Sequence, residues 1–203
     1  MQEQSFSWSS FASLGGIAGF LSLAWQITAA ARKRLRRPKL HARPFDAERD
    51  LGTWQIGDGG IVQKVATVEV TNVGKSLASR CVASATVLRS PTGVALRNAP
   101  VPLKWAGTDP TPHDTGTFPI DLGPDDHQRL DMVFSRNIQS SPGCWLAAPL
   151  ALFRPEGAPQ FHLPPGTYEI EVVVRCTDGD SCRVGLIIDS PQAWDQLSVQ
   201  RIT

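Results

Sequence analysis

Beyond residue 60 the chain alternates apolar and polar positions with a period of two. Over residues 65–72, Ala66, Val68 and Val70 fall on one side and Thr67, Glu69 and Thr71 on the other. The same alternation groups Cys81, Ala83, Ala85 and Val87, then Phe118, Ile120 and Leu122, then Leu130, Met132 and Phe134. It returns in Tyr168, Ile170, Val172, Val174 and Cys176, and again in Cys182, Val184, Leu186 and Ile188. Successive side chains of a strand point to opposite faces, so each set predicts the buried face of a half-buried strand. Residues 40–45 and 197–202 read as opening and closing strands. Residues 46–60 are polar and glycine-rich and read as a loop, with Trp54 and Ile56 packing back. Residues 145–153 fit a strand or a short helix equally well. With Gly/Pro turns between the segments and no long 3.6-residue repeat after Leu40, the pattern predicts an all-β fold, an antiparallel β-sandwich.

The first 40 residues follow another rule. No charged side chain occurs from residue 5 to residue 31, and residues 11–31 form an apolar run. As a helix that run is about 31 Å long, the thickness of a bilayer's hydrocarbon core. Trp8 and Trp25 stand near its ends, where aromatic belts form. A cleaved signal peptide carries its basic residues before the apolar run. Here Arg32, Lys33, Arg34, Arg36, Arg37 and Lys39 come after it. The expectation is a tail over residues 1–10, a transmembrane helix over 11–31, a basic collar over 32–39 and the β-domain over 40–203. Positive charge stays on the cytoplasmic side, which places the domain in the cytoplasm on the inner membrane. The collar would contact the lipid surface, at about 1 kcal/mol per basic residue beside anionic headgroups. Gly15 and Gly19 form a G-x-x-x-G, a candidate for self-association of the helix into a homo-oligomer.

Composition narrows the chemistry. Apolar residues make up 41% and charged residues 19%, values of a folded chain. Six of the 20 basic residues lie in the collar, so the remainder is mildly acidic and offers no basic field to nucleic acid. Cys81, Cys144, Cys176 and Cys182 form no C-x-x-C pair, so neither a disulfide scaffold nor a zinc site is expected. Gly74-Lys75-Ser76 resembles the end of a phosphate loop, but Glu69 occupies the position of its first glycine and a strand follows. There is no G-x-S-x-G elbow, and His41, His113, His127 and His162 are scattered. Asp125-Asp126-His127 reads as a solvated turn and Asp178-Gly179-Asp180 as a hairpin tip too poor in oxygen ligands for calcium. No catalytic, cofactor-binding or metal-ligating residue is expected.

Residues 68–78 read VEVTNVGKSLA. With Val68, Val70, Asn72, Gly74 and Ala78 in place, the segment resembles the strand–turn of bacterial immunoglobulin-like domains, including the cell-adhesion-related modules. Leu103-Lys104-Trp105 and Pro165-Gly166-Thr167-Tyr168 with Ile170 are similar to other recurring pieces of such domains. The resemblance implies an immunoglobulin-like sandwich with a turn at Asn72 and Gly74 and Ala78 packed under the sheet. Adhesion modules are extracellular, whereas the charge pattern points this domain inward.

Two local expectations follow. Gly74 should adopt the left-handed conformation that glycine tolerates best. The apolar sets containing Cys176 and Cys182 both face the core only if the loop between their strands has odd length. A three-residue loop, residues 178–180, would set the two cysteines opposite each other as free, buried thiols. The function expected is that of a membrane-tethered, non-enzymatic protein-interaction module, such as an accessory subunit of a membrane complex with an unknown protein partner. The alternatives are an extracytoplasmic adhesive or envelope domain, and a hydrolase with non-standard catalytic residues.

Overall fold

The computed structural model describes residues 22–29, 36–56, 60–92, 99–108, 119–138, 141–153 and 158–202. The chain divides into two units, Met1–Arg37 and Pro38–Thr203. In the first unit, residues 22–29 form a helix, α1, whose side chains are exposed. Among the described residues no helix is long and apolar enough to cross a membrane. The rest of the expected span, residues 11–21, 30 and 31, lies outside the described residues, as do Gly15, Gly19, Arg32, Lys33 and Arg34.

The second unit is built from two six-stranded, antiparallel sheets. In sheet I, β1 (Leu40–Ala42) and β2 (Leu51–Ile56) lie one after the other along one edge of β3 (Ile61–Asn72). The other edge of β3 pairs with β7 (His127–Arg136), followed by β8 (Cys144–Leu146) and β9 (His162–Leu163). Sheet II runs β12 (Ser198–Arg201), β11 (Cys182–Ser190), β10 (Gly166–Arg175), β4 (Ala78–Arg89). The far edge of β4 carries β5 (Val101–Leu103) and β6 (Ile120–Leu122). Val68, Val70 and Leu130 of sheet I and Ala83, Ala85, Val87, Ile170, Val172, Val174, Val184, Leu186 and Ile188 of sheet II belong to one buried core. Two sheets sharing one core is the arrangement of a β-sandwich.

Most period-two sets therefore lie where alternation put them. Residues 109–118, with Phe118, lie outside the described residues. Residues 46–60 differ from the expected loop. Asp46 caps a short helix, α2 (Ala47–Asp50), its side chain accepting from Glu48 N–H, and β2 follows directly. The run Leu51–Ile56 contains Gly52 and two exposed polar residues, which hid an edge strand. Residues 145–153 hold both of the elements between which their sequence could not choose: β8, then α3 (Pro149–Phe153).

The alternation of β7 also breaks. Ala66 pairs with Val133 and Thr67 with Asp131, so Met132 is an extra residue in the ladder. A bulge of this kind shifts the facing of everything beyond it. Leu130 faces the core, but Phe134 pairs with Val65 on the outer face of sheet I rather than joining Leu130 and Met132. There it stacks on Trp145 at 6.0 Å between ring centroids. Arg136 lies 4.8 Å over the Phe134 ring, donates to the Leu152 carbonyl of α3 and reaches Gln63 Oε1 at 3.2 Å. Apolar residues on this face are thus roofed by a long cation tied to α3.

Candidate functional site

The chain crosses between sheets after β5. Asp131 N–H donates to the Lys104 carbonyl and Ala106 N–H to the Arg129 carbonyl, so residues 104–106 run beside β7. Trp105 faces inward, fully buried opposite Leu130, with Nε1 bonded to the Cys81 carbonyl at 3.2 Å. Strand alternation then turns Lys104 and Ala106 to the outer face, next to Arg129 and Asp131.

A groove of about 230 Å³ opens on that face, lined by Trp54 of β2, Gln63, Val65 and Thr67 of β3, Ala106 and Gly107, and Arg129 and Asp131 of β7. Each strand supplies alternate residues, which is why the lining converges from three strands. Trp54 is 54% exposed, unusual for an indole in a folded domain. Its ring leans back over Gly52: a Cβ at Gly52 would lie 2.9 Å from Trp54 Nε1, so glycine there leaves room for the ring. Gly107 adopts φ +77°, a backbone that favours glycine, at the opposite wall. Asp131 carries the site's most unusual electrostatics. Burial pushes its carboxyl up to about 6, and the positive charge of Lys104 offsets only part of this. Among the described residues no hydrogen bond or ion pair reaches that carboxylate.

A second concavity of about 500 Å³ adjoins the first at Ala106 and Gly107 and is lined by Asp121, Asp125, Asp126 and His127. Two of its three aspartates serve the backbone. Asp121 accepts from Arg80 N–H at 2.7 Å and Asp126 from Gly123 N–H at 2.8 Å. Among the described residues no group of three or more His, Cys, Asp or Glu side chains is arranged to hold a metal ion.

The residues singled out by sequence fall elsewhere. Arg36, Arg37 and Lys39 are exposed, and Lys39 N–H donates to Asn72 Oδ1 at 3.1 Å. Asn72 is fully buried and does more than turn the chain. Its Oδ1 also accepts from Gly74 N–H at 3.0 Å, while Nδ2 donates to the carbonyls of Ser76 (2.7 Å) and Leu122 (3.0 Å). One amide thus ties β1, the turn and β6 together. The expectation for Gly74 is corrected: it is not among the glycines of positive φ, because the Asn72 side chain closes the turn without a left-handed residue. The positive φ near this strand end belongs to Arg80 and Asp125.

The cysteine register is corrected as well. Cys182 pairs with Val174, two residues from the expected partner, so Cys176 and Cys182 do not oppose each other. The odd-length requirement still holds. The ladder ends at Val174–Cys182, which leaves residues 175–181 between the last paired positions, and both thiols pack against the core. Within that connection Cys176 Sγ packs against Gly179, where a Cβ would come within 2.6 Å of the sulfur.

No feature of the sequence marked the groove. By alternation Asp131 is only a polar residue between Leu130 and Met132, Arg129 has no distinguishing signal, and Trp54 reads as a residue packing back from a loop. The missing signals were the strand nature of residues 51–56 and the sheet crossing at Lys104. Compared with known proteins, the sequence matches no family model and no curated protein.

Proposed function

We propose that this chain is a membrane-tethered, non-enzymatic interaction module that binds a protein partner through the outer face of sheet I. The observation that carries the reading is the groove itself, with an exposed indole on one wall and, in its lining, a half-buried carboxylate that no hydrogen bond reaches among the described residues. An exposed aromatic beside an under-compensated charge suits a partner segment that presents a basic group next to an apolar one. The order β1–β3–β7 in one sheet and β4–β10–β11 in the other corresponds to the A–B–E and C–F–G order of an immunoglobulin-like sandwich. Tyr168 supports the same reading: its hydroxyl donates to the Pro164 carbonyl at 2.8 Å, four residues upstream at the start of β10, in the manner of a tyrosine corner. Such domains bind through their surfaces, and fold alone assigns no chemistry.

The tether rests on the apolar run of residues 11–31 and the basic residues Arg32 to Lys39, read as a transmembrane helix with the domain on the cytoplasmic side. Confinement to a membrane raises the effective concentration of partners held there. The test is chemical crosslinking of the full chain in membranes followed by mass spectrometry. A specific partner should be captured by the natural chain and lost with Trp54→Ala, while Arg183→Ala on the other sheet keeps it. Capture unaffected by Trp54→Ala removes the groove from the proposal. A phosphatase fused after Thr203 should be inactive, and an active fusion reverses the orientation.

A further inference from the structure

Three of the four free cysteines converge at one end of sheet II. The β4–β10 ladder pairs Ala83 with Val174 and Val82 with Arg175, so the next residues, Cys81 and Cys176, are cross-strand neighbours. Thr177 N–H bonds to the Ser79 carbonyl at 3.0 Å. That bond is one residue out of the ladder's register, so the chain bulges at Arg80, whose φ is +54°, directly beside the cysteine pair. The two thiols are close enough that Cys176 adds to the upward push of burial on Cys81, while the Cys81 thiol donates to the Ala78 carbonyl at 3.3 Å. Cys182, opposite Val174 on the next strand, is the diagonal neighbour of Cys176 on the same face. The three differ in access: Cys81 is fully buried, whereas Cys176 and Cys182 are half-buried. The backbone of Asp178 and Gly179 lies against the Cys176 sulfur and partly offsets the effect of burial on its thiol.

We propose that Cys81 and Cys176 are a dithiol–disulfide pair, oxidised by exchange with a small-molecule disulfide that enters at Cys176. Cys176, as thiolate, attacks one sulfur of the external disulfide R–S–S–R, whose S–S bond breaks and releases one thiolate. Cys81, already beneath it, then attacks the Cys176 sulfur of the mixed disulfide and expels the second thiolate. The two cysteine protons end on the two released RSH molecules, so two thiols are oxidised and one disulfide is reduced. Burial pushes the Cys81 thiol up to about 12, that of Cys182 up to about 11, and that of Cys176 upward too. Attack is therefore slow, but the reduced state gains nothing from thiolate stabilisation, which favours the disulfide once formed. The link would cross β4 and β10 beside Pro38, whose ring packs on Gly179 where the chain enters the domain. The inference stands apart from the membrane reading.

The experiment treats the purified full chain with excess oxidised glutathione, quenches in acid, alkylates after denaturation and maps tryptic peptides. Cleavage at Arg80, Arg89, Arg175 and Arg183 releases CVASATVLR and CTDGDSCR. The expected product is these two peptides linked, with Cys144 alkylated. The link should persist in Cys182→Ser and vanish in Cys176→Ser, and Cys81→Ser should stop at glutathione on Cys176. A link closed within CTDGDSCR, a link that survives Cys176→Ser, no link at all, or modification of Cys144 as fast as of Cys176 overturns the proposal.

Discussion

Two carboxylates on and beside sheet I, the buried one of Asp50 and the half-buried one of Asp131, are treated in opposite ways. Asp50, at the end of α2, is enclosed by partners. Arg49 Nε donates to it at 2.8 Å and Arg49 Nη2 adds a second bond. Asp46 N–H donates at 2.9 Å, and Arg43 approaches to 3.9 Å while also pairing with Glu69. Asp131, two strands away on the outer face, has only the field of Lys104. A buried carboxylate with its bonds filled fixes local structure, whereas a half-buried one left short of protein partners carries a partial desolvation cost that the fold does not offset. The Asp50 cluster therefore serves architecture, setting the approach of α2 to β3. The Asp131 groove is where a partner's cation would restore what is missing.

Removing each carboxylate should separate the two cases. Asp50→Ala leaves two guanidiniums without their shared acceptor and frees the Asp46 N–H. It should cost about 3 kcal/mol, at the low end for a broken buried pair because both arginines reach solvent. Urea unfolding measures it, and a loss under about 1 kcal/mol would mean that the cluster is ornamental.

Asp131→Asn should act in the other direction and depend on pH. Folded, the carboxyl titrates near 6; unfolded, it titrates near 3.9, as an unperturbed aspartate does. Between those values the folded chain holds the extra proton, so ionisation of Asp131 weakens the fold. The penalty is complete above about pH 6 and gone below about pH 4. The variant should be more stable than the natural chain by on the order of 1–2 kcal/mol near pH 8 and equal to it near pH 4. A gain of the same size at both pH values would trace the effect to packing rather than charge.

The contrast also explains what the sequence could carry. Alternation places a residue on a face wherever a strand is regular, and so Val68, Val70, Ile170, Val172 and Leu186 were legible as core. It fails at an insertion. One extra residue at Met132 moved Phe134 to the other face, and nothing in HQRLDMVFSR marks that residue as a bulge. Asn72 was legible as a turn residue, but its bonds to Lys39 and Leu122 join segments 33 and 50 residues away and have no local signature. The groove depends on such distant joins throughout: β2 against β3, and residues 104–106 crossing to β7. Trp54, Arg129 and Asp131 become one site only after the sheets have formed.

The most direct test of the outer face as the binding surface is site-specific photocrosslinking in membranes. Benzoylphenylalanine replaces Trp54, aromatic for aromatic, in one chain and exposed Arg183 of β11 in another. The expected result is a discrete protein adduct from position 54 that is absent from position 183 and weakened when Asp131→Asn is added. The same adduct from both positions, or an adduct from position 183 alone, would contradict it.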